Sequence, residues 1–206
     1  RKRRRFTSPN SMMAVVATHE AVTEAGLSLE DLRRYRVAVI GGCAGSNYVE
    51  VHDGAAAFAV HHKVRKVSPF TVPRVMPSSA VANISLIFGI TGESYDISSA
   101  CSSGAHAILL GSRLLQSGLY DVVIAGGSEE VNWVQALGFD AMRALSTAYN
   151  ATPERASRPF DANRDGFVIA EGAGFIVMEN EDFARKRGAR PVCCLSGGAA
   201  NSNAKD

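Results

Sequence analysis

The chain is poor in several things at once. Aromatic residues make up 7% of its 206 positions, with a single tryptophan, and there are only seven prolines and four cysteines. Cys43, Cys101, Cys193 and Cys194 form no CxxC pair and no regular ladder, so neither a zinc site nor a disulfide framework is expected. Reduced thiols in a cytoplasmic protein are the default. No apolar run reaches the eighteen or so residues of a membrane span. The net charge of +2 is nearly balanced, which argues against a nucleic-acid or membrane surface as the main partner. The exception is local: "RKRRR" places five cations at residues 1–5. They lack interleaved aromatics, so they make a poor nucleic-acid footprint. This basic start leads into "FTSPNSMM" and an amphipathic helix rather than a signal peptide.

What is present is apolar and rich in glycine. The 46% hydrophobic content can bury a real core, and nineteen glycines suggest many tight turns. Ser11 is expected to cap a helix over 12–26, stopped by Gly26. "YRVAVIGG" (35–42) reads as a strand covered on both faces. "HDGAAAFAVHHKVRKV" (52–67) is expected to be part helix, and 78–90 a helix ended by Gly89. "SYDISSA", the helix 102–117 and "DVVIAGGSEE" make a β-α-β unit, whose crossover should be right-handed. That helix is apolar nearly all round, which predicts burial on every side. "AGFIVMEN" (173–180) is a further strand, followed by a charged helix in "EDFARKRGA" and the strand-like "PVCCLSGG". Alternating strands and helices give an α/β fold in layers.

Cys101 stands where a strand becomes a helix. The free N–H groups of a first turn and the helix dipole favour negative charge there, which lowers a thiol's pKa and makes it a nucleophile. Its backbone N–H would supply half of an oxyanion hole. Ser99, Ala100, Ser102, Ser103 and Gly104 are small enough to admit a bulky thioester. The alternative is packing, since free cysteine is a small hydrophobe and small residues also seat helices closely. "DANRDGFVIAEG" (161–172) spaces Asp161, Asn163, Asp165 and Gly166 like a calcium loop, but Gly172 stands where the closing glutamate belongs. "GGCAGS" and "EGAG" do not complete a dinucleotide motif.

"SSACSSGAHAI", "AGGSEE", "FDAMRALS" and "RPFDANRDGFVIAEGAGFIVME", in this order, resemble the β-ketoacyl-[acyl carrier protein] synthases, condensing enzymes of the thiolase fold. The likeness is to the elongating enzymes of bacterial fatty acid synthesis. It implies the layered α-β-α-β-α architecture, here as the N-terminal domain over 1–206, with the nucleophile helix buried. It makes Cys101 the acyl-accepting nucleophile and requires no cofactor and no metal. It places Gly45, Met76, Phe139, Met142 and Phe167 around the acyl chain, with Gly45 leaving room for a longer one. Arg1, Lys2, Arg5 and Arg65 match positions that dock the acidic acyl carrier protein. Met76 and strand 95–100 lie at a homodimer interface in that fold.

The resemblance also implies two histidines and a lysine in a C-terminal half, and none of the five histidines here, His19, His52, His61, His62 and His106, has a matching context. The chain opens on arginine, and "LSGGAANSNAKD" holds no closing element, so we expect an internal piece of a longer protein that does not condense substrates by itself. A catalytically incomplete partner subunit is the alternative, although such subunits typically lack the cysteine. A thiolase would lack the "DANRDGFVIAEGAG" block, and an α/β-hydrolase would want a GxSxG elbow.

Overall fold

The protein is described by a computed structural model, in which residues 3–45, 47–202 and 204 are placed. In chain order the elements are α1 (Pro9–Glu24), α2 (Leu29–Arg34), β1 (Val37–Gly42), α3 (Tyr48–His61), α4 (Thr71–Val75), α5 (Ser79–Phe88), β2 (Ser94–Ile97), α6 (Ser103–Gln116), β3 (Val122–Glu129), α7 (Trp133–Ala141), β4 (Gly172–Glu179) and α8 (Glu181–Lys186). Short 3-10 turns occupy Arg3–Phe6, Val64–Lys66 and Pro153–Arg155.

The strands form one sheet in the order β2-β1-β3-β4. β1 runs parallel to both β2 and β3, and β4 lies antiparallel to β3. The β2-α6-β3 unit therefore crosses over β1, because its two strands flank β1 instead of pairing with each other. All six residues of β1 are buried, as a strand covered on both faces requires. Its side chains alternate. Val37 and Val39 join Val122, Ile124 and Phe175 in a core with Ala14 and Val22 of α1 and Val81, Ile84 and Phe88 of α5. Ala38 and Ile40 join Val123, Ala125 and Met178 against Ala107 and Leu115 of α6. Helices thus cover both faces, giving three of the five layers the resemblance implies.

Local chemistry sets the ends of these elements. Ser28 and Asp31 form a reciprocal cap on α2, each side chain taking the other's backbone N–H, at 3.0 and 3.1 Å. Gly89 ends α5 in the left-handed conformation (φ 72°), as the sequence suggests.

Three expectations need correction. Ser8, not Ser11, holds the N-cap position of α1, with no side-chain bond to the first turn's N–H groups, because Pro9 already has the φ of a first helical residue. Ser11 is buried inside the helix, where its hydroxyl meets Ser8 Oγ at 2.8 Å and Ser79 Oγ at 3.1 Å. α6 is not buried all round. The i, i+4 stripe of Ser103, Ala107, Gly111 and Leu115 faces the sheet, whereas Ile108, Leu109, Leu110 and Leu114 are half-buried with no second layer over them among the described residues. "PVCCLSGG" forms no strand, and Cys193 and Cys194 are exposed. An apolar run becomes a strand only beside an edge that pairs its backbone, and no described edge does so.

Candidate active site

α6 can begin where it does because two backbones meet. A Cβ on Gly42 would stand 2.3 Å from the carbonyl carbon of Ser103, and Gly127 brings its own backbone to Gly104 across the same spot. The first turn of α6 therefore rests directly on β1 and β3. Ser103 is buried, and Gly104 faces Gly127, so these two small residues seat the helix. The sequence leads one to expect that they make room for a thioester; instead they are taken up by the sheet. Ala100 and Ser102, on either side of Cys101, are exposed and leave the approach open.

Cys101 precedes the helix N-cap, Ser102, by one residue. Its thiol is exposed, which removes the packing explanation, and the one buried cysteine is Cys43. Cys43 Sγ donates to Gly45 O at 2.6 Å, and burial followed by the nearby Glu129 charge pushes that thiol up to about 12. It is an inert structural thiol. Ala100 adopts φ 51°, a left-handed turn that swings the chain from β2 toward α6. Ser99 Oγ and His106 Nδ1 share a 2.6 Å hydrogen bond, which engages that ring nitrogen.

The expected pocket residues are only partly assembled. Phe139 on α7 and Phe167 meet edge to face, with ring centroids 5.1 Å apart. Met142, at the end of the same helix, is 73% exposed, and Met76 lies at the end of α4. Gly45 leaves no vacancy. A Cβ there would meet Tyr48 at 3.1 Å and Gln135 and Glu129 at 3.3 Å, so neighbouring side chains already fill the space expected for a longer chain. A hollow of about 740 Å³ is lined by Ala144, Arg158, Phe160, Arg164 and Phe167 among others, and Cys101 is not part of its wall.

Arg5 and Arg65 sit on exposed 3-10 turns. The first turn is tied to α4 by Arg74 Nε donating to Arg5 O at 2.9 Å and by an edge-to-face contact of Phe6 with Phe70. Arg1 and Lys2 lie outside the described residues.

The calcium-like loop is spent on the protein itself. Asp165 accepts from Ser146 Oγ (2.6 Å), Thr147 N–H (2.8 Å) and Ala148 N–H (2.7 Å), and these bonds lower its carboxyl to about 2. Asp161 pairs with Arg158 at 3.0 Å. These bonds, with the paired backbones of Ala144, Ser146 and Phe167, lash the loop to the segment after α7.

Sequence and structure comparisons place the chain among known proteins. Residues 1–184 match the family model described as the β-ketoacyl synthase N-terminal domain. The chain belongs to the β-ketoacyl synthase family. It is 42% identical over 207 aligned positions to 3-oxoacyl-[acyl-carrier-protein] synthase 1 of Escherichia coli (strain K12), covering 100% of this chain and 51% of that protein. The crystal structure of a β-ketoacyl synthase from Burkholderia phymatum STM815 superposes with a TM-score of 0.84 at 32% identity, over 92% of this chain and 46% of the other. A type II PKS ketosynthase, in complex with its acyl-carrier protein and bound to the hexaketide, superposes with a TM-score of 0.81 at 26% identity, over 88% and 46%. The fold is thus the thiolase-like fold of these synthases, and the chain spans about half the length of the relatives it matches. No described helix is long and apolar enough to cross a membrane.

The residues that sequence reasoning missed are those around Cys101. In the sequence Ser103 shows only as a small residue, and His106 only as a structural histidine with no stated partner. Their bonds depend on the sharp turn at Ala100, which no spacing rule anticipates.

Proposed function

We propose that Cys101 is the acyl-accepting nucleophile of a β-ketoacyl-[acyl carrier protein] synthase. The observation that carries this reading is an exposed thiol projected from a tight turn immediately before the N-terminus of α6. The Cys101 thiolate attacks the carbonyl carbon of an acyl thioester on the carrier protein; the new C–S bond forms, and the carrier thiolate leaves. Malonyl-carrier protein then loses carbon dioxide. The carbanion so formed attacks the acyl-enzyme carbonyl, releasing the Cys101 thiolate and a 3-oxoacyl-carrier protein. The histidines and lysine that this second step uses are expected in the family's C-terminal half.

The docking partner in this reading is the acidic acyl carrier protein, met by Arg5 and Arg65 together with Arg1 and Lys2. The carrier-protein complex of the related ketosynthase supports it. A homodimer is the assembly in this reading, and β2, an edge strand whose outer side pairs with nothing among the described residues, supports it; a cytoplasmic location belongs to the same reading. Phe139, Phe167, Met142 and Met76 would border the acyl chain.

The test is the intact mass of the protein after exposure to an acyl-carrier-protein thioester. A single acyl adduct that maps to Cys101 and vanishes in Cys101→Ala is expected. An adduct that survives the substitution, or none in the unsubstituted protein, overturns the reading. Arg5→Glu with Arg65→Glu should raise the half-saturating carrier concentration and flatten its salt dependence.

A further inference from the structure

Between β2 and the first turn of α6 the side chains of Ser99 and Ser103 are held inside the turn that leads to Cys101. Ser103, 3% exposed, accepts the N–H of Ser99 on its hydroxyl at 2.9 Å and donates that hydroxyl to the carbonyl of Ala100 at 2.6 Å. The same carbonyl also takes Ser103 N–H at 3.1 Å, while Ser99 O takes Ser102 N–H at 3.2 Å. From one turn further along, His106 Nδ1 shares the 2.6 Å hydrogen bond with Ser99 Oγ. His106 is itself fixed, its backbone N–H donating to Ser102 O at 2.9 Å.

These bonds converge on two residues, Ser99 and Ala100. An alanine at φ 51° is unfavourable, and such a conformation persists only where the surroundings over-determine it. Here the surroundings do so with side chains as well as backbone. Released from its partners, Ala100 would relax, and Cys101 would leave the helix end in another direction.

We propose that Ser103 and His106 are positioning residues for Cys101. They lock Ser99 and the left-handed Ala100, and so fix the direction of the thiol. The proposal rests on the reading of Cys101 as the acyl acceptor. Neither residue needs to touch substrate, and the histidine acts as a brace whose Nδ1 is already engaged. A reacting atom displaced by about 1 Å loses on the order of a hundredfold in rate, so the expected effect is kinetic.

The experiment is single-turnover acyl transfer to Cys101 in the whole protein, followed by intact mass while the acyl-carrier-protein thioester is varied. Ser103→Ala and His106→Ala should each lower the maximal rate about tenfold to a hundredfold and leave the half-saturating concentration unchanged. Ser103→Thr and His106→Asn keep a hydrogen-bonding atom in place and should recover most of the rate. A melting curve accompanies each variant. If Ser103→Ala does not fold, the half-buried His106 pair decides alone. Rates within twofold of the unsubstituted protein in the alanine variants overturn the proposal, as does equal loss in the conservative ones. An unsubstituted protein that takes no acyl group on Cys101 overturns the nucleophile reading itself.

Discussion

Gly42 on β1 and Ser103 at the start of α6 touch backbone to backbone, close enough that a single methyl group on Gly42 would stand 2.3 Å from the Ser103 carbonyl carbon. Gly42→Ala must therefore push the helix off the sheet. We expect a loss of about 2 kcal/mol or more in unfolding free energy by urea titration, with acyl transfer to Cys101 falling further than the stability loss explains. Gly138→Ala, where a Cβ meets nothing within 4 Å, is the control.

The four thiols should sort by burial. Iodoacetamide on the native protein is expected to label Cys101, Cys193 and Cys194, whereas Cys43, enclosed and pushed up to about 12, should react only after denaturation. Prior incubation with an acyl thioester should protect Cys101 alone. Peptide mapping by mass spectrometry reads both outcomes.

Asp96 on β2 predicts a pH dependence. Both of its carboxylate oxygens are buried, and burial raises its carboxyl to about 7, the backbone of Val81 offsetting only part of this. Well below pH 4 the group is neutral in folded and unfolded chains alike. Above that the unfolded chain ionises first, so this contribution to stability falls as pH rises and is lost through about 7. Asp96→Asn should match the unsubstituted protein near pH 4 and exceed it by on the order of 2 kcal/mol at pH 8. Urea titrations at the two pH values check it.

Arg187 grips Glu179 with two hydrogen bonds of 2.6 Å and donates to Ala25 O at 2.9 Å, so one guanidinium links α8, the end of β4 and the end of α1. Both side chains of the pair are largely buried. Arg187→Ala strands Glu179 and should cost about 2 kcal/mol, whereas Arg185→Ala, whose partner Glu181 is exposed like itself, should cost well under 1 kcal/mol.

Periodicity made the sheet legible. Val37 to Gly42 and Val122 to Glu129 are short apolar runs closed by glycines or acids, and they became the two central strands. It could not rank them: that β1 lies between β2 and β3 depends on contacts distant in sequence, which no local pattern carries. The cap of α1 was misplaced because Ser8 and Ser11 are both good caps, and only the φ of Pro9 separates them. Cys101 stood out by its flanks of tiny residues, yet their division of labour did not. Ser103 and Gly104 serve the sheet, while Ala100 and Ser102 serve the opening, and both pairs look alike in a sequence. Gly45 misled for a related reason. An absent side chain signals space only when no neighbour has moved in, and Tyr48, Gln135 and Glu129 have.

The two central strands also carry a problem of alignment. Val37, Ala38, Val39 and Ile40 are apolar on both faces, as are Val122, Val123, Ile124 and Ala125. A slip by one position would exchange the faces and still bury hydrocarbon, so oil and water cannot proofread this pairing as they do in a sheet with one wet side. Volume can. The observed alignment puts Gly42 and Gly127 under the start of α6, where a side chain would stand in the path of the main chain. The strands are kept in step by notches, and the notch that proofreads the sheet is the same one that seats the helix behind Cys101.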